Sequence, residues 1–164
     1  MKLRRALKGQ YHASLAMVRQ AVERCPEGLW LSGHPSRPYW RIAYHAIFYA
    51  HLYLMPSESD FRAWEHHQER VNSLATEEAS YDHVTPYTKS QILEYWAQVD
   101  GMVDAAVDLL DLDAATCGFH WYNMPKLDHQ ILNIRHIQQH AGQLSELLMA
   151  DGIETDWTGS LRDL

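Results

Sequence analysis

Two histidines four residues apart, His136 and His140, sit inside the strongly helical stretch Asn133-Ile134-Arg135-His136-Ile137-Gln138-Gln139-His140-Ala141-Gly142-Gln143-Leu144. At about 100° per residue, positions i and i+4 lie one turn apart on one face, so both imidazoles can approach a common atom. That is metal-ligand spacing. On the helical wheel Leu127, Ile134, Ile137, Ala141, Leu144 and Leu148 form an apolar sector, with Arg135, Gln139 and Glu146 roughly opposite. His129, Asn133, His136 and His140 recur along one edge of that sector. A polar stripe at the border of a core costs about 1–3 kcal/mol per unpaired group, so it calls for hydrogen-bond partners or a metal. In a chain with eleven histidines the same spacing also arises by chance, each imidazole bonding a neighbouring side chain.

The elements that must position these residues follow from the rest of the chain. Its 164 residues suit a single domain, residues 1–164, large enough to bury a real core. With 46% hydrophobic and 21% charged residues, the composition is that of a globular protein rather than a disordered one. The 14 basic against 21 acidic residues, a net charge of -7, make a phosphate backbone an unfavourable partner, so nucleic acid is not expected. There is no apolar run of about 18 residues, and the start Met1-Lys2-Leu3-Arg4-Arg5 leads into an amphipathic helix rather than a signal peptide. The expectation is a cytoplasmic protein that does not engage a membrane. Cys25 and Cys117 form neither a disulfide framework nor a C-x-x-C motif and read as free thiols.

Periodicity predicts four helices. The first covers about 3–24, with Leu7, Tyr11, Leu15, Val18 and Val22 at spacings of three and four, and is stopped by Cys25-Pro26-Glu27-Gly28. A loop rich in Gly, Pro and Ser leads to the second, about 37–55, with Ser36 as its cap and Pro38 in its first turn. This helix is apolar nearly all round, so it should be buried on most sides or face a partner subunit. His45 shares a face with Ile42, Phe48, Tyr49 and Leu52 and points into the core, where it becomes the natural third ligand beside His136 and His140. His51 lies on another side, near Trp40 and Tyr44.

Residues 56–87 are polar and poorly periodic, with at most short helices around 60–65 and 68–75. So long a connection is usually functional or mobile and suggests a crossover that covers a site. His66 and His67 are adjacent, diverge on a helix and read as surface residues. Thr88-Lys89-Ser90-Gln91 has the form of a capping box, opening a third helix of about 88–112 marked by Ile92, Trp96, Val99, Val103, Ala106 and Leu110. An aromatic loop, Gly118-Phe119-His120-Trp121-Tyr122, precedes the fourth helix, about 125–150, which ends at Asp151-Gly152. The tail, 151–164, packs through Trp157 or frays. The expected fold is therefore all-α, a four-helix bundle, in which metal sites are built from inward side chains on facing helices.

Trp40-Arg41-Ile42-Ala43-Tyr44-His45 on the second helix and the 133–144 stretch on the fourth resemble the DinB-like, or YfiT-like, metalloenzyme superfamily. Helix lengths and the long connection between helices 2 and 3 extend that resemblance over nearly the whole chain. It implies an up-down-down-up four-helix bundle, a homodimer, and a divalent metal held by His45, His136 and His140. Zinc or nickel leads the candidates, with iron or manganese behind. Family members use such a metal to activate a low-molecular-weight thiol for S-transfer or isomerisation, related bundles act as hydrolases, and others have lost ligands. Two departures matter. The Trp-to-His spacing is shorter than in many members, and Gln139 stands where relatives of that branch often carry His, so substrate assignments from better-studied branches do not transfer.

Three neutral imidazoles on a divalent ion leave at least one open position, where bound water reaches a pKa of about 7 or a thiol binds as thiolate. Asn133, Asp128, Tyr44 and Tyr49 are the nearest candidates for fixing the rings' free N–H groups. No residue stands out as general base. The expectation is thus a metal-dependent S-transferase or hydrolase acting on a small molecule. The alternative is a non-catalytic dimeric bundle, without metal, whose histidines are core polar groups and whose role is structural or partner binding.

Overall fold

In the computed structural model, which describes residues 2–34, 36–75 and 84–161, the chain is mostly helical. Helix α1, Lys2–Arg24, is followed by a single turn, α2, Glu27–Trp30. A two-residue hairpin pairs β1, Gly33–His34, with β2, Arg37–Pro38. Three long helices complete the fold: α3, Tyr39–Leu54; α4, Lys89–Leu109; and α5, Lys126–Ala150. Both α4 and α5 pack on α1 and on α3. Part of the 56–87 connection, residues 76–83, and the last three residues of the tail lie outside the described residues.

The apolar rows expected from periodicity meet in one core. Leu7, Tyr11, Leu15, Val18 and Val22 of α1 face Ile92, Val99 and Val103 of α4 and Ile137, Leu144 and Leu148 of α5, all buried. Helix α3 lies among them. Of its 16 residues, His45 and Tyr49 alone are not fully buried, so the chain itself covers this apolar helix and no second subunit is needed to explain it. The capping box at Thr88 forms as expected, with the Thr88 side chain accepting from the Gln91 backbone N–H and Gln91 returning to the Thr88 backbone.

Several local expectations change. Ser36 does not cap α3: the hairpin holds Pro38 in extended geometry as the residue before the helix, and the Ser36 hydroxyl bonds His34 Nδ1 at 2.8 Å instead. The loop after α1 contains the short α2, whose Trp30 is buried and donates to the Tyr87 carbonyl at 2.8 Å. Among the described residues of the connection the regular piece is a 3-10 turn, Glu58–Asp60, with Trp64 and Val71 buried beyond it. His67 is half-buried rather than on the surface, because its Nδ1 meets the Tyr44 hydroxyl at 2.6 Å and its ring stacks on Phe48. The tail runs along α1 by polar contacts, Arg24 to the Glu154 carbonyl and Gln10 to the Gly159 carbonyl, and leaves Trp157 exposed.

A buried polar network sets α5 against its neighbours. Tyr11 donates to Gln130 Oε1 at 2.7 Å, Gln130 donates to the Tyr53 carbonyl at 3.0 Å, and Asn133 donates to Tyr11 and to the Ala50 carbonyl. Nearby, His129 is fully buried with neither ring nitrogen hydrogen-bonded among the described residues. Tyr53, Phe119 and Tyr122 enclose it at ring-centroid distances of 4.6, 4.9 and 5.4 Å. Burial, with the Lys126 charge adding to it, lowers the His129 pKa to about 4. No helix among the described residues is long and apolar enough to cross a membrane.

The unfolded chain holds a proton on His129 below about pH 6.5, whereas the folded chain resists it down to about 4. Stability is therefore fully present above pH 6.5 and falls as pH drops through that window, at up to about 1.4 kcal/mol per pH unit for each such group. Urea unfolding of metal-free protein across pH 4–7 should show His129→Phe with a shallower slope than the parent; an unchanged slope would contradict the buried neutral imidazole.

Candidate metal centre

His45 comes from the middle of α3, and His136 and His140 come from consecutive turns of α5. Packing of these two helices brings the rings together, with centroid separations of 5.0 Å for His45–His136 and 4.5 Å for the other two pairs. His136 Nε2 lies 3.1 Å from His45 Nε2 and 3.1 Å from His140 Nε2. Two nitrogens bound to one tetrahedral zinc at about 2.0–2.1 Å stand about 3.3 Å apart. The spacing fits.

Hydrogen bonds on the far sides of the rings decide which nitrogens face inward. His45 Nδ1 lies 2.6 Å from the Asn72 carbonyl oxygen, which can only accept, so Nδ1 carries the proton and Nε2 a bare lone pair. His140 Nδ1 donates likewise to Gln143 Oε1 at 2.6 Å. All three rings are held neutral. Burial first, and then His140, lower the His45 pKa to about 3 and that of His136 to about 4, while burial lowers His140 against the opposing Gln143 bond. Neutral imidazole is the ligand form.

Without an ion this arrangement is incompletely satisfied. At most one proton, on His136 Nε2, can lie among the three converging nitrogens, and His136 Nδ1 is buried without a partner among the described residues. Placing lone pairs 3.1 Å apart without a shared proton is repulsive, and a cation at their focus removes the repulsion. The three imidazoles form a donor set that could hold a metal ion. A second group of possible ligands, Glu65, His66 and Glu94, is exposed throughout and has no comparable support.

The other expected site residues scatter. Tyr49 belongs to the site: its ring lies 4.7 Å from His45 and 5.4 Å from His136, and its hydroxyl accepts from Asn72 Nδ2 at 3.4 Å. Tyr44 bonds His67 rather than the triad. Asn133 spends its amide on Tyr11 and Ala50, and Asp128 is exposed in the first turn of α5. The partners that do orient the rings are the Asn72 carbonyl and Gln143. Gln143 lies three residues after His140 and was legible from helix geometry; Asn72 sits in the aperiodic connection, where no spacing announced it.

What brings Asn72 there is a row on α3. Arg41, fully buried, donates from Nε to the Val71 carbonyl at 2.9 Å and from a terminal nitrogen to the Arg70 carbonyl at 2.8 Å. Arg41, His45 and Tyr49 follow at steps of four and therefore share one face. Two clefts adjoin the triad. One, of about 510 Å³, has Tyr49 and Asn72 in its wall; the other, of about 500 Å³, is lined by His136 together with Tyr122, Arg135 and Gln139. A third, of about 470 Å³ between α1 and α4, contains His12 and Asp100 and none of the triad. No protein-family model, curated protein or solved structure matches the chain.

Replacing Arg41 by Met leaves the Arg70 and Val71 carbonyls without their guanidinium donors. The expected loss is about 3 kcal/mol in chemical denaturation, with faster amide exchange over residues 70–75. A variant as stable and as protected as the parent would show that the segment is held by something else.

Proposed function

We propose that the protein is a divalent-metal-dependent enzyme of the DinB-like type. In this reading α1, α3, α4 and α5 form an up-down-down-up four-helix bundle, with the long connection between its second and third helices. His45, His136 and His140 hold one ion, zinc or nickel first and iron or manganese as the other candidates. The observation that carries the reading is the convergence of three Nε2 atoms, two of them aimed inward by Nδ1–H bonds on the opposite side of the ring. When bound, such an ion supplies a Lewis acid with an open position, able to lower the pKa of water to about 7 or to hold a thiol as thiolate.

The chain's own residues bind and orient. The Asn72 carbonyl and the Gln143 side chain fix two tautomers, and burial keeps the rings unprotonated. The adjoining clefts, each about 500 Å³, suit a small molecule rather than a polymer. The substrate class we favour is a low-molecular-weight thiol, and the reaction S-transfer or hydrolysis. A reducing cytoplasmic setting accords with the free, buried Cys25 and Cys117. The acidic balance disfavours nucleic acid as partner. A homodimer belongs to the same reading, through a face other than α3, and sedimentation should return twice the chain mass; the mass of a single chain at working concentration would remove this part.

Elemental analysis of protein purified without an affinity tag or chelator should find about one ion per chain, lost in the His136→Ala, His140→Ala double variant and in His45→Ala. The His45→Ala chain should stay folded. Gln143→Leu keeps all three ligands and should weaken zinc by about 10–100-fold, because the His140 ring loses its orienting acceptor. Parent and variants all empty after metal is added back, with His45→Ala destabilised, would overturn the reading and leave a non-catalytic helical protein with a structural or partner-binding role.

A further inference from the structure

The cleft of about 510 Å³ beside the triad has a composition that the metal ligands do not explain. Phe48, Tyr49, Tyr53, Phe61 and Trp121 wall it, Glu58 is its charged residue, and no Lys, Arg or His lines it. The rings form a continuous set: Phe48 stands edge-on to Tyr49 and to Phe61 at 5.3 Å each, and Tyr49 leans on Tyr53 at 5.4 Å. One Glu58 oxygen meets His120 Nδ1 at 3.0 Å, and the other has no partner among the described residues.

The walls come from separate parts of the chain and are tied together. The Gly118 carbonyl accepts from the Glu58 backbone N–H at 3.2 Å. Gly118 itself has φ +85, and a Cβ there would come within 3.0 Å of Ser57 Cα, so glycine is required for this approach. Lys126 Nζ donates to the Pro56 carbonyl at 2.6 Å and also to the Cys117 carbonyl, clamping both segments to α5. Glu58 and Trp121 are thereby held at one cleft before any ligand arrives.

Aromatic faces carry negative potential, and a carboxylate with a free oxygen adds to it. An anion is repelled by this lining, and a neutral apolar body gains nothing from Glu58. We propose that the cleft receives an organic cation, an ammonium or methylated ammonium group carried on a small molecule. The proposal rests on the metal reading in one respect, that this group is the recognition end of the substrate. Tyr49 and Asn72, which form part of the wall, also contact His45, so a single layer of residues separates a molecule seated there from the triad.

The test is calorimetric titration with choline and with its neutral isostere 3,3-dimethylbutan-1-ol, on metal-free and zinc-supplemented protein. Choline should bind about tenfold more tightly than the alcohol, and Glu58→Gln and Trp121→Ala should each cut choline affinity by about tenfold while barely moving the alcohol. Equal affinity for the two probes, or no choline binding in either preparation, overturns the proposal. Since the preference is read with and without zinc, a chain that takes up no metal can still show it, and a chain that takes up zinc can still fail it. The two readings therefore fail separately.

Discussion

A backbone carbonyl turned away from water must find a donor, and residues 70–72 turn three consecutive carbonyls toward α3. Arg41 supplies donors to the first two and His45 to the third. Because 41, 45 and 49 are one helical row, a single face of α3 sets how deep the connection lies, which nitrogen of His45 is protonated and where Tyr49 stands. Arg70 has φ 63, a left-handed conformation uncommon for a side chain of that size, and the Arg41 guanidinium bonds its carbonyl. The candidate metal centre thus depends on a segment that contributes no ligand to it.

The polar groups inside this core are treated in two ways. Tyr11, Gln130 and Asn133 form a network that joins α1, α3 and α5, satisfying most of its donors within the protein. Asn133 Oδ1 alone is left without a partner among the described residues, and the network still gives register as well as stability, since a one-residue slip would leave several more buried groups unpaired. The imidazoles differ. His129 has aromatic rings around it in place of hydrogen-bond acceptors. The triad concentrates lone pairs where protein donors are lacking. Polarity left unsatisfied in this way is costly to a purely structural core, and the same feature suits a site that takes a cation.

Much of this was readable from pattern. The apolar rows of α1, α4 and α5, the Thr88 capping box and the burial of α3 follow from periodicity of 3.6 and from local cap chemistry, which depend on near neighbours in the chain. The inward face of His45 and the one-turn spacing of His136 and His140 belong to the same class. Other features escaped because a different interaction won locally. Ser36 has the right side chain for a cap, yet the short hairpin sends its hydroxyl to His34. His67, adjacent to His66 in a polar stretch, looked superficial until Tyr44 and Phe48 were placed beside it. Asp128 and Tyr44 were near a ligand by residue count, but one is in solvent and the other bonds the connection.

The sequence by itself determined which residues share a helical face, and hence that three histidines could be offered inward from two helices. It also determined the net charge of -7, since charge is a property of composition. Tertiary structure decided which nitrogens point at one another, because the orienting carbonyl of Asn72 lies 27 residues beyond His45 across an aperiodic connection. It likewise decided the aromatic cleft, where Glu58 and Trp121 meet through Gly118 and Lys126 contacts that follow no periodic rule. Helical spacing fixes angles within one element; the distance between two elements is set by the side chains and carbonyls that must be satisfied between them.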